Sequence, residues 1–314
     1  MKKYILVASL LASTLLAKEK IVVFHAGSLA KPFKDIEKAF ETKNPKYDVL
    51  REASGSVAAI KKVTILNRGA DVVASADYKA IDKLMIGKDA KFNASFATNK
   101  MAIAIAPKAK FRDEISEKNW FDIVLKDGVK VGHSNPNLDP CGYRTMLVAQ
   151  LTEKAYGKKD FFKELFGYGD HYEVGEENKK KVIVRPKETD LLALVESSSI
   201  DYLFIYESVA KQHGLKYITL EDSVNLGNAK LNSEYAKATF KIDGKKKGQS
   251  LTQVGESMVY GLTIPENKKS PLNRAGAIKF VKFILSDEGK AIIKKNGQST
   301  ISPARVTGDS TIIK

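Results

Sequence analysis

KIVVFHAGSLAKPFKDIEKAF, Lys20 to Phe40, is the stretch whose reading decides the fold. Lys20 to Phe24 is a short apolar run of strand length, His25 to Ser28 is a small-residue turn, and Leu29, Phe33, Ile36 and Phe40 then recur at helical spacing. Ser28 stands at the helix start, where as an N-cap it would contribute about 1 kcal/mol. The pattern repeats at once: Tyr47 to Arg51 reads as a strand, Ala53 to Ser56 as a hydroxyl-rich turn, Val57 to Leu66 as a helix, and Ala70 to Ser75 as a third strand closing on Ala76 and Asp77. Strand, turn and helix alternating at this spacing predict an α/β fold with a parallel sheet, and ligands of such sheets bind at the carboxyl ends of the strands.

Further on, Met101 to Ala106 (MAIAIA) reads as a buried strand and Val129 to Val131 opens a new βα series. The loop that follows, SNPNLDPCGYR at Ser134 to Arg144, crowds two prolines, a carboxylate, the only cysteine and a glycine into one turn. Pro136 and Pro140 remove two backbone donors, so the segment belongs to neither helix nor strand. Tyr143 to Leu151 then begins a helix, whose first N–H groups have no intrahelical partner and favour an anion. A loop of this composition also serves as an ordinary strand-to-helix connection. Tyr156 to Lys181 is charged and glycine-bearing, and reads as an exposed insertion. Val182 to Val184 and Tyr202 to Tyr206 are strands, with a helix introduced between them by Pro186 to Asp190 and carrying Leu191, Leu192, Leu194 and Val195. Met258 to Ile264 (MVYGLTI) is a strand, and Ala275 to Leu285 opens the last long helix.

A chain of 314 residues with 43% hydrophobic content buries a full core and suggests two domains. Lys2 and Lys3 precede an apolar run from Tyr4 to Leu16, the layout of a signal peptide with cleavage expected after Ala17. An exported product without membrane insertion follows. Cys141 alone makes no disulfide, and His25, His133, His171 and His213 are scattered without a metal-binding spacing. The formal charge of +15 is spread over many lysines. The runs Lys179 to Lys181 and Lys245 to Lys247 read as solvated faces, with no interleaved aromatics to suggest nucleic acid.

Four elements carry a family resemblance: HAGSL at His25 to Leu29, EASGSV at Glu52 to Val57, NPNLDPCGYR at Asn135 to Arg144, and RPKETDLLALVES with DYLFIYESVA within Arg185 to Ala210. Together they resemble the periplasmic tungstate and molybdate binding proteins, in the branch first known from archaea. The resemblance implies a two-lobe periplasmic binding protein fold of type II, with a two-strand hinge formed by MAIAIA and MVYGLTI and the ligand in the interlobe cleft. Residues 1–17 would be the signal peptide, 18–100 with 260–314 one discontinuous lobe, and 101–259 the other. It further implies a periplasmic monomer that is no enzyme, carries no cofactor, and delivers tungstate or molybdate to the membrane permease of an ATP-driven importer. Carried over by residue, Gly27, Ser28 and a serine of SGS supply donors from the first lobe, Ser56 in first place and Ser54 as the other choice. Asp139, the backbone of Pro140 and Cys141, Glu188 and Tyr206 come from the second.

Two carboxylates beside a dianion repel it by several kcal/mol in a partly buried cleft. Tungsten(VI) and molybdenum(VI) accept further oxygen ligands, so Asp139 and Glu188 would bind the metal directly, while sulfur in sulfate cannot expand in that way. The plainer role for both is capping, Asp139 for its loop and Glu188 for its helix. Two other activities fit a carboxylate in a cleft: phosphate binding, which needs one acid, and a carboxylate-pair hydrolase. No GxSxG nucleophile or metal-ligand cluster accompanies the pair.

Overall fold

The structure, a computed structural model, describes residues 17–173, 175, 177–244 and 248–313. The expected signal peptide lies outside them except for Ala17, as does the run Lys245 to Lys247. The first lobe opens with β1 (Glu19–Ala26), β2 (Tyr47–Ser54), β3 (Val72–Ser75) and β4 (Phe92–Thr98). The second holds β5 (Met101–Ile105), β6 (Val131–Ser134), β7 (Val182–Arg185), β8 (Tyr202–Tyr206) and β9 (Lys216–Thr219). A hairpin, β10 (Thr239–Asp243) with β11 (Ser250–Val254), precedes β12 (Val259–Thr263) and β13 (Ser299–Gly308). The six-stranded sheet runs β13-β4-β12-β3-β1-β2 and the five-stranded sheet β7-β6-β8-β5-β9.

Each sheet has a parallel core built from the βα units legible in the sequence, β2-β1-β3 in one and β7-β6-β8 in the other. The remaining neighbours pair antiparallel, so the sheets are mixed rather than purely parallel. The connections between lobes explain the mixture. A strand entering a sheet at the edge where the parallel strands end must run against them, which is the situation of β5 entering the second lobe and β12 returning to the first.

MAIAIA and MVYGLTI are not themselves the crossings: β5 lies wholly in the five-stranded sheet and β12 wholly in the six-stranded one. The chain crosses just ahead of each, at Asn99–Lys100 and at Gly255–Met258. Backbone hydrogen bonds from Met101 N to Asn225 O (2.8 Å) and from Met258 N to Leu226 O (2.9 Å) hold the two crossings to one short segment. Buried Asn99 fastens them further, donating through Nδ2 to Ser208 Oγ (2.7 Å) and Tyr260 Oη (2.9 Å).

The helix α1 (Ala30–Lys43) buries Phe33, Ile36 and Phe40 as its spacing predicts, and Phe40 meets Phe280 edge-on at 5.1 Å between ring centres. Elsewhere the sequence reading needs correction. The supposed exposed insertion forms a helix, Phe161–Phe166, whose Phe161, Phe162, Leu165 and Phe166 are buried, with Tyr168 and Tyr172 behind them. Charge in the segment masked an apolar face. In the run Lys179 to Lys181 the first two are exposed as expected, but Lys181 is half-buried: its Nζ donates to the carbonyls of Val124, Leu125, Lys126 and Val129 at 2.8 to 3.4 Å. A cation there answers the unpaired carbonyls and negative end of the helix Trp120–Leu125.

The lobes also share one device. His25 and His133 lie near the carboxyl ends of β1 and β6, fully buried, each with Nδ1 2.8 Å from the carbonyl of the following residue. Burial lowers both from 6.5 to about 4. The unfolded chain therefore takes up protons that the folded one refuses, so stability is complete above pH 6.5 and is lost as pH falls towards 4. Each ring should account for a loss on the order of 3 kcal/mol by linkage. Urea unfolding between pH 7 and 4 checks this: His133→Phe should reduce the acid-side loss by about one ring's share, and an unchanged pH profile would contradict it.

Candidate functional site

The parallel registers place the candidate residues side by side. Ala26 pairs with Ser54 across β1 and β2, and His25 with Ala74 across β1 and β3, so three turns emerge together at one edge of the first sheet. Opposite them, the ends of β6, β7 and β8 present the Asn135–Asp139 loop, Pro186–Glu188 and Tyr206.

In the first lobe, the turn Gly27–Leu29 is a short 3-10 helix ahead of α1, and Ser28 makes no capping bond. Its Oγ instead accepts from Tyr260 Oη (3.1 Å), and its carbonyl accepts from Gln298 Nε2 (3.1 Å). Ser56 begins the helix α2 (Ser56–Thr64), and its Oγ accepts from Ala76 N (2.9 Å). Ser54 differs: its Oγ is buried without a hydrogen-bond partner. Gly55 between them has to be glycine, because a Cβ would stand 2.2 Å from the Leu138 carbonyl oxygen of the other lobe.

In the second lobe, Asp139 caps the helix Pro140–Tyr156, with Oδ1 accepting from Cys141 N (3.3 Å). Pro140 suits the first helical position, having no N–H to leave unpaired. The other carboxylate oxygen, Oδ2, accepts from the backbone N–H of Glu188 (3.0 Å). Capping is thus a real role of Asp139. It is not the role of Glu188, which opens the 3-10 turn Glu188–Leu191 without making a side-chain cap. Glu188 is 1% exposed, and neither of its carboxyl oxygens has a hydrogen-bond donor. Burial, followed by the charge of neighbouring Asp139, holds this carboxyl well above its ordinary value of 4.5.

The two halves meet at Gly27, where a Cβ would lie 3.0 Å from both oxygens of Glu188. Gly27, Gly55, Asp139 and Glu188 therefore converge. The side chains of Cys141 and Tyr206 are engaged elsewhere: the buried thiol is directed at Phe204 O (3.7 Å), and the phenol oxygen accepts from Arg144 Nη1 (3.0 Å). Burial pushes the Cys141 thiol up, which keeps it protonated.

The sequence reading passed over the groups that join the lobes. Arg144 Nη1 also donates to Ala76 O (2.7 Å), Arg144 Nη2 lies 4.0 Å from Asp77 Oδ1, and Tyr143 Oη donates to Asp77 Oδ2 (2.5 Å). Burial disfavours the charge of this guanidinium, but Tyr206, Tyr143 and Asp77 hold its pKa above the usual arginine range. A signal existed, since Tyr143 and Arg144 follow Pro140 by three and four residues and so share the face of the helix start. For Asp77 and Tyr260 no local pattern marks the role. Among the described residues, no group of three or more His, Cys, Asp and Glu is placed to hold a metal ion.

Two α/β lobes with mixed sheets, joined by two crossings and facing each other across the carboxyl ends of their parallel strands, define a periplasmic binding protein fold of type II. The chain belongs to the family described as bacterial extracellular solute-binding proteins, whose model matches residues 21–298. It is 47% identical to a solute-binding protein of Petrotoga mobilis over 90% of this chain and 84% of that one. It is 40% identical to the molybdate/tungstate-binding protein WtpA of Pyrococcus abyssi over 92% of this chain and 87% of the relative. The periplasmic molybdate-binding protein of Azotobacter vinelandii shares the fold, with a TM-score of 0.61 at 16% identity over 88% of this chain and 98% of that one. The resemblance carried by the four motifs is borne out at the level of family, and the family places the work of this non-catalytic binding protein outside the cytoplasm. Among the described residues no helix is long and apolar enough to cross a membrane.

The unpartnered carboxyl gives a prediction about the ligand-free protein. Glu188 keeps its proton in the folded chain where the unfolded chain has lost it, so its contribution is complete below pH 4.5 and disappears as pH rises through the raised folded value. Glu188→Gln has no proton to lose. Its melting temperature, measured relative to wild type, should therefore climb from pH 5 to pH 8, and parallel curves would contradict the assignment.

Proposed function

We propose that this protein captures tungstate or molybdate between its lobes and hands it to the membrane permease of an ATP-driven importer. The observation that carries the reading is the Glu188 carboxyl, buried in the cleft with no donor and beside a second carboxylate, Asp139. A buried acid without partners destabilises a fold. It also suits no ordinary oxyanion, since sulfate would bring more negative charge to a place with no cation touching the carboxylates. A hexavalent tungsten or molybdenum centre reverses the balance by accepting an oxygen from each of Asp139 and Glu188 beside its own four oxo groups. The contacts come from both lobes: Gly27 and Ser28, Ser54 or Ser56, the backbone at Pro140 and Cys141, where Cys141 alone has an N–H to donate, and Tyr206. Ser54, with its unengaged hydroxyl, is at least as well suited as Ser56.

The name of the Pyrococcus abyssi relative supports this choice of anion. In this reading residues 18–100 with 260–314 and residues 101–259 are the two bodies that close on the ligand, and the protein acts as a monomer.

Thermal melts provide the test. Tungstate or molybdate at 100 times its dissociation constant should stabilise the chain by about 2.7 kcal/mol, whereas equal sulfate or phosphate should not. A larger shift with phosphate would replace this reading with phosphate binding.

X-ray absorption at the tungsten edge examines the coordination itself. Six oxygen neighbours, two of them at longer distance, fit the carboxylates as ligands, and Asp139→Ala or Glu188→Ala should reduce that number along with the preference over sulfate. Four equivalent short bonds in the wild-type complex would make the cleft a hydrogen-bonding cradle instead.

A further inference from the structure

Tyr143 and Arg144 stand one turn into the helix Pro140–Tyr156, nearly or wholly buried, and reach across to a single loop of the first lobe. That loop, Ser75 to Asp77, is held in shape by bonds within its own lobe. Ser75 Oγ donates to Asp77 O (2.6 Å) and accepts from Asp77 N (3.0 Å), Asp77 Oδ1 accepts from Lys79 N (2.9 Å), and Ala76 N is fixed by Ser56 Oγ (2.9 Å). It therefore offers Ala76 O and the Asp77 carboxylate as a preformed seat, onto which the Arg144 guanidinium and the Tyr143 hydroxyl close.

We propose that Tyr143 and Arg144 form the clasp that keeps the lobes shut, setting how long the oxyanion stays without touching it. The inference rests on the anion site proposed for the cleft and names what fastens that site. Both N–H bonds of Arg144 Nη1 are committed, one to Ala76 O and one to Tyr206 Oη, and the single hydroxyl proton of Tyr143 goes to Asp77. Neither residue has these donors left for an anion. Their partners do belong to the proposed anion set: Arg144 holds the Tyr206 phenol, and Ala76 is tied to Ser56. Opening the lobes separates Asp77 from Tyr143 and Ala76 from Arg144, while every bond inside the loop survives. Closure is thus made by contacts that lie beside the anion and reach it only through Tyr206 and Ser56.

The test compares wild type with Tyr143→Phe, which loses one oxygen atom, and Arg144→Lys, which keeps the charge but cannot reach both acceptors. Release of radiolabelled tungstate into excess unlabelled tungstate should accelerate about tenfold in each. Association should change less than about twofold, because affinity changes within one interface fall mostly on dissociation. In Tyr143→Phe, which leaves Tyr206 held by Arg144, the tungstate-to-sulfate preference should match wild type. A merely structural role would lower the melting temperature and leave the release rate alone.

Release at the wild-type rate from folded Tyr143→Phe would overturn the clasp, and so would an altered tungstate-to-sulfate preference in that variant, which would place Tyr143 against the ligand. Should Arg144→Lys fail to fold, Tyr143→Phe carries the test. If wild type retains no tungstate, the ligand reading falls, and small-angle scattering of the ligand-free proteins decides the clasp: a larger radius of gyration in Tyr143→Phe upholds it, and an unchanged one overturns it.

Discussion

The hydrogen bond from the backbone N–H of Glu188 to Asp139 Oδ2 is the contact on which the cleft depends. It spans 49 residues of chain, ties the turn after β7 to the loop after β6, and brings two acids together where neither has a cation in contact. Asp139 is satisfied by this bond and by Cys141 N, while Glu188, held at the other end, is left with none. One acid is thereby structural and available, the other exposed in chemistry although buried in space. A fold that tolerates this arrangement maintains a local instability, which under the proposed function a ligand able to bind the carboxyl would relieve.

The surroundings keep that instability local. The first lobe faces Glu188 with glycine, which allows the carboxyl to approach the backbone without supplying a competing charge. The cation nearest in role, Arg144, is occupied by Tyr206 and Ala76 rather than by Glu188. Were it to pair with the carboxyl, Glu188 would be held as a charged partner of the guanidinium and, in the proposed reading, would have less to offer a hard metal centre. Under that same reading, keeping cation and carboxyl apart inside one buried region separates two tasks, with recognition resting on the acids and closure on the base.

Much of this was legible from the order of residues. Short apolar runs followed by small-residue turns and helical spacing give the two parallel cores, because strand and helix periodicities differ and leave distinct traces in sequence. The turn after β6 was marked by its prolines, although it spans only Asn135–Asp139: Ser134 ends β6, and the helix begins at Pro140 rather than Tyr143, because proline suits a first helical position. The family was marked by its four motifs. The reading failed where charge density stood in for exposure: Phe161–Phe166 is core despite its flanking charges, and Lys181 is a helix cap. Composition averages over a segment, whereas burial is decided face by face.

What the sequence determined by itself was local: which stretches become strands and helices, which turns carry hydroxyls and acids, and which family the chain joins. Tertiary structure alone decided that β5 and β12 run antiparallel to their neighbours, that Asp139 accepts from Glu188, and that Tyr143 and Arg144 meet Asp77 and Ala76. The reason is physical. Strand and helix formation are driven by the spacing of residues close along the chain, but a hydrogen bond between residues 49 positions apart exists only once the second lobe has folded, and one between residues 68 apart only once two lobes have taken their places.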